Sequence, residues 1–115
     1  MRLTSEFWVS ALVKRVFAEG GFAAVESRGA REAGTIFIFV RDRFGRVRLF
    51  GPAAQASYDE TRPSERRFVV LVEDEQDKID IRLERERRFD PDLWVVEIEL
   101  ADAGNAADYF EVAAG

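Results

Sequence analysis

Apolar residues near the start of the chain recur at helical spacing. Trp8, Leu12 and Val16 form one row, Val9, Val13 and Phe17 the next, and Glu6, Ser10 and Lys14 a polar stripe. That pattern predicts a helix over 5–19 with a broad buried face. Thr4 stands where an N-cap is needed, and Gly20-Gly21 supplies the stop. The spacing then changes to that of strands. Residues 22–28 are a first candidate. Residues 35–41 contain Ile36-Phe37-Ile38-Phe39-Val40, an unbroken apolar run expected of a central strand covered on both faces. Asp42-Arg43-Phe44-Gly45 reads as a hairpin turn into an alternating strand over 46–50, and 67–72 is a fourth strand.

Residues 78–84 alternate with period two, as a strand would. Their composition argues the other way: helix formers throughout, Asp74, Glu75 and Asp77 at the start, Arg85, Arg87 and Arg88 at the end, and Pro91 just beyond. The balance predicts a helix over 75–88. A last strand over 93–100 turns Trp94, Val96, Ile98 and Leu100 to one side and Val95, Glu97 and Glu99 to the other. The order α-β-β-β-β-α-β predicts an α+β fold. The expected form is a mostly antiparallel sheet of about five strands with two helices on one face. Residues 1–100 form the expected single domain, and 101–115 an Ala- and Asp-rich C-terminal tail. Inside the sheet, Trp94 is expected against Leu12 and Val16.

Composition narrows the chemistry. The chain has 115 residues, no cysteine and no histidine. Disulfides, thiol chemistry and the commonest metal ligand are therefore absent. Catalysis would have to rest on carboxylates, Arg, Lys, Tyr or Ser, and no pair of carboxylates is marked out by spacing, so no catalytic residue and no cofactor are assigned. The longest apolar run is far shorter than a membrane span, and charged residues interrupt the N-terminus too often for a secretion signal. A cytoplasmic location without membrane contact is the expectation.

The net charge of −5 is unevenly placed. Residues 28–67 carry nine arginines against five acids, whereas 73–111 carry five bases against fourteen acids. Two adjacent regions pairing within one fold would account for this, as would regions that face different partners or each other across a dimer. Nucleic acid is disfavoured as a partner, because the chain as a whole repels phosphate.

Three constellations carry candidate chemistry. Tyr58, Asp59 and Arg62, with Arg66 and Arg67, concentrate phenol, carboxylate and guanidinium in ten residues. They could grip a small anionic ligand through forked hydrogen bonds, or tie the loop to itself. Asp90 and Asp92 flank Pro91 and could offer oxygen to a hard cation, but capping and turn formation explain them better, so no metal site is assigned. Trp8, Phe44, Tyr109 and Phe110 are the aromatic candidates for an interface with a protein partner or with a second copy in a homodimer, and Phe44 at a turn tip is the most unusual.

Four segments carry a resemblance: Leu3-Thr4-Ser5-Glu6-Phe7-Trp8-Val9; Leu49-Phe50-Gly51-Pro52-Ala53; Tyr58-Asp59-Glu60 with Arg62-Pro63; and Arg88-Phe89-Asp90-Pro91-Asp92-Leu93-Trp94-Val95-Val96-Glu97-Ile98-Glu99. Through them the chain resembles a family of small bacterial proteins known as domain of unknown function 1491. Phe44 departs from the family pattern, where a small polar turn residue is usual. The resemblance supports a helix over 75–88 and supplies no activity. The expectation from all of this is a non-enzymatic protein-interaction module, with binding of a small anionic ligand, or weak carboxylate-based catalysis, through the 58–67 loop as the alternative.

Overall fold

Thr4 caps the first helix as its sequence suggests, its hydroxyl accepting from the Phe7 N–H at 3.2 Å. A computed structural model describes residues 3–54, 66–101 and 103–113, and in it this helix, α1, runs Ser5–Ala18. The strands are β1 (Phe22–Ser27), β2 (Ile36–Arg41), β3 (Val47–Pro52), β4 (Arg67–Asp74), β5 (Trp94–Glu99) and β6 (Glu111–Val112). Helix α2 spans Gln76–Phe89, and a 3-10 helix, Ala103–Asp108, precedes β6. The helical reading of 75–88 holds because Ile79 and Leu83, four residues apart, both bury. None of these helices is long and apolar enough to cross a membrane.

Among the described residues the sheet has six strands, in the order β1-β5-β2-β3-β4-β6. The expectation of about five strands missed β6, a two-residue pairing made by the tail. Antiparallel pairing joins β1 to β5, β2 to β3 and β3 to β4. The β2–β5 and β4–β6 pairings are parallel, so the sheet is mixed. The class remains α+β.

The helices lie on opposite faces of the sheet, not on one. Val9, Leu12 and Val16 of α1 share a core with Ile36, Ile38, Val40, Trp94, Val96 and Ile98. Ile79 and Leu83 of α2 share the other with Phe37, Phe39, Leu49, Leu93 and Val95. The reason lies in β2 and β5. Successive side chains of a strand point to opposite faces, so an unbroken apolar run demands cover on both. Alpha1 alone could not have satisfied Phe37, Phe39 and Val95.

Trp94 sits where expected, 1 % exposed within a central strand and in the same core as Leu12 and Val16. Its indole N–H donates to the Ala30 carbonyl at 2.8 Å. The 28–35 connection is seated against this strand's entry. A Cβ on Gly29 would lie 2.1 Å from the Asp92 carbonyl oxygen, so only glycine fits that approach. The same connection closes the start of α1, with Ser5 N–H donating to the Glu32 carbonyl and Glu6 N–H to that of Arg31.

Candidate functional site

Sheet register brings Ser27, Ile36, Pro52, Phe68 and Trp94 to one end of the sheet, and the first turn of α1 lies there too. Arg66 belongs to this end. Its Nη2 donates to the Leu3 carbonyl at 2.9 Å and lies 3.4 Å from Ser5 Oγ, and its guanidinium stands 6.0 Å from the centroid of the Trp8 ring. Arg67 is drawn instead to the tail, with its Nε 3.3 Å from a Glu111 carboxylate oxygen. The two neighbouring arginines therefore serve different elements. Tyr58, Asp59 and Arg62 lie outside the described residues. Glu6 gathers two further arginines at this end, Arg28 at 2.7 Å and Arg31 at 3.2 Å.

Three of the four aromatic candidates meet on the α1 side. Half-buried Trp8 packs on Phe68 at 5.3 Å. Phe110 is only 6 % exposed, edge-on to Phe50 at 5.0 Å and to Phe68 at 5.2 Å. Its ring is a core element that fastens the tail, not a surface contact. Tyr109 is half-buried against the same core, and its carbonyl accepts from the Arg15 guanidinium. Burial, together with the charges of Glu19 and Asp108, pushes its phenol above the ordinary tyrosine range against the pull of Arg15.

Phe44 stands apart, 76 % exposed at the β2–β3 turn at the opposite end. The turn beneath it is well braced. Asp42 Oδ1 accepts from the N–H groups of Phe44 at 2.8 Å and Arg46 at 3.1 Å, and Gly45 supplies the positive φ of 85°. Arg43 covers one side of the ring, 4.9 Å from its centroid.

The outward side of α2 exposes large apolar side chains that the composition of the segment does not single out. Ile81 is 59 % exposed and Phe89 83 %. A signal for Ile81 did exist in the sequence. Ile79, Ile81 and Leu83 alternate, and a helix can bury only the two that lie four apart. Asp90 and Asp92 form a turn, the Asp92 N–H donating to Asp90 Oδ1 at 3.0 Å. Among the described residues no three acidic side chains gather in a way that could hold a metal ion.

A family model described as protein of unknown function (DUF1491) matches residues 3–108. A protein from A. tumefaciens, known from a solution structure, is 49 % identical, with 100 % of this chain and 98 % of that one covered and a TM-score of 0.84. The crystal structure of a DUF1491 family protein from Caulobacter crescentus CB15 is 33 % identical, covering 98 % of this chain and 99 % of its own, with a TM-score of 0.80. No curated protein matches.

Proposed function

We propose that this chain, which belongs to the DUF1491 family of proteins of unknown function, is a cytoplasmic, non-enzymatic protein-interaction module. The observation that carries this reading is the presentation of large apolar side chains on braced backbone: Phe44 on its hydrogen-bonded turn, and Ile81 and Phe89 on a helix anchored by Ile79 and Leu83. Rigid apolar anchors lose little conformational freedom on binding, which is what a recognition surface requires. Binding of a small anion receives less support, because Arg66 and Arg67 are committed to separate elements.

A photo-crosslinking phenylalanine analogue placed at Phe44 or Phe89, and at exposed Lys14 as control, tests the reading in living cells. Protein adducts specific to Phe44 or Phe89 are expected. Adducts at both positions no different from those at Lys14 would overturn it.

A further inference from the structure

Helix α2 carries its charges unevenly paired. Arg82 bonds Glu86 at 3.0 Å, Arg87 reaches Glu26 at 3.3 Å, and Arg88 lies 3.9 Å from Glu84. Asp77 and Arg85, both exposed, have no ionic partner among the described residues. They stand one helical turn before and one after the exposed Ile81. Residues four apart lie one above the other on a helix, so Asp77, Ile81 and Arg85 form a single outward row reading acid, apolar, base.

Such a row is complementary to itself. A two-fold axis through Ile81 sets a second copy of the helix antiparallel and places each Ile81 against its counterpart. The same operation brings Asp77 of each copy to Arg85 of the other, twice in one interface. Any other partner would have to carry the matching order independently. We infer that the outward face of α2 pairs with α2 of a second copy of this chain. This rests on the interaction reading above and names the partner as the chain itself. With 14 residues the helix is about 21 Å long. Such a contact is at the small end of specific interfaces, and the dimer is accordingly weak, of micromolar order or weaker.

Sedimentation equilibrium of the full chain from about 10 µM to about 1 mM tests this. The samples are the parent, Asp77→Arg, Arg85→Asp, the double reversal and Ile81→Ser. All three positions are exposed, and circular dichroism confirms the fold of each variant. The parent should pass from a 13.1 kDa species to its dimer. Either single reversal replaces two attractions with two repulsions and should weaken association about thirtyfold. The double reversal restores the order of signs and should return association to within about threefold of the parent. Ile81→Ser should weaken it in every background. A parent that stays monomeric at about 1 mM overturns the pairing, as does a double reversal no tighter than the singles, or single reversals that dimerise like the parent. Monomers that still give specific adducts at Phe89 would leave the interaction reading standing with a different partner. Monomers without specific adducts would remove both.

Discussion

Truncating Trp94 to alanine tests the placement of the last long strand. The ring is 1 % exposed, in a strand flanked on both sides, and shares its core with Leu12 and Val16 of α1. A tryptophan buries about 200 Å². At about 25 cal/mol per Å² its removal forfeits about 5 kcal/mol, less the share alanine retains. Large-to-small changes of this type cost about 3–5 kcal/mol. Losing the bond to the Ala30 carbonyl adds little, because Ala30 is exposed and water can replace the indole N–H. The total is a large share of the about 5–15 kcal/mol that holds a domain together. For a chain of this size it corresponds to a fall in Tm of about 12–20 °C. Trp94→Phe keeps most of the ring volume and should cost only about 1–2 kcal/mol. Thermal and guanidinium unfolding followed by circular dichroism read both, and an unchanged denaturant slope would locate the loss in the folded state. If Trp94→Ala melts within about 4 °C of the parent, Trp94 does not occupy this core.

Gly29→Ala should destabilise by about 2–3 kcal/mol, because its new Cβ meets the Asp92 oxygen and, at 2.6 Å, the Leu93 carbonyl carbon. Gly45→Ala meets no atom within 4 Å and should cost only the about 1 kcal/mol of its positive φ; equal losses in chemical denaturation would refute the close approach. Phe110→Ala should lower stability by about 3–4 kcal/mol, since it empties the space between Phe50 and Phe68; a change below about 1 kcal/mol would mean that the tail is not seated there. The Glu73 carboxyl should titrate below the ordinary glutamate range by NMR, because Arg48 hydrogen-bonds it and both Arg48 and Arg46 lend positive charge. Its small contribution to stability is therefore present above the ordinary glutamate range and lost as pH falls through the lowered value; an unmoved titration in Arg48→Gln would refute the cause.

What the sequence made legible was whatever depends on local periodicity. The cap at Thr4, the stop at Gly20-Gly21 and the central position of β2 follow from spacing, from a hydroxyl placed to cap, and from the freedom of glycine to take a positive φ. Even in the 78–84 stretch, end charges and Pro91 outweigh the period-two alternation, and the segment is helical. The two-sided placement of the helices is implied by the apolar run 36–40, which has to be covered twice, although the sparse apolar content of α2, Ile79 and Leu83 on its buried side, makes it a weak signal for that second cover. The parallel pairing of β2 with β5 was hidden, because it joins segments more than fifty residues apart and leaves no local mark. The tail carries a mixed signal: its alanine-rich composition favours fraying, while Phe110 seated between Phe50 and Phe68, half-buried Tyr109 and the β4–β6 pairing hold it in place. Of the proposed anion grip, Arg66 and Arg67 each look available in the sequence, and only the fold reveals that one turns to α1 and the other to β6.

The uneven charge acquires a structural meaning from register. Arg41 stands directly opposite Glu99 in the β2–β5 pairing, Arg48 opposite Glu73 in β3–β4, and Arg67 opposite Glu111 in β4–β6. All three are ion-paired, and Arg41 reaches Glu97 and the Gln76 side-chain oxygen as well. Burial alone would lower the Arg41 guanidinium, but hydrogen bonds and charge from Glu99 and Glu97 outweigh it and hold it above its ordinary range. The basic middle of the chain and its acidic last third are thus neighbours in the sheet. Each pair at a partly exposed strand position stabilises by less than about 1 kcal/mol. Their greater effect is on choice between registers. Slipping any of these strands by one residue turns each of its side chains to the other face of the sheet and also separates its charges. A sheet that mixes parallel and antiparallel neighbours has more wrong pairings to reject than a simple meander, and here arginine–glutamate pairs mark the correct register at three of its five junctions.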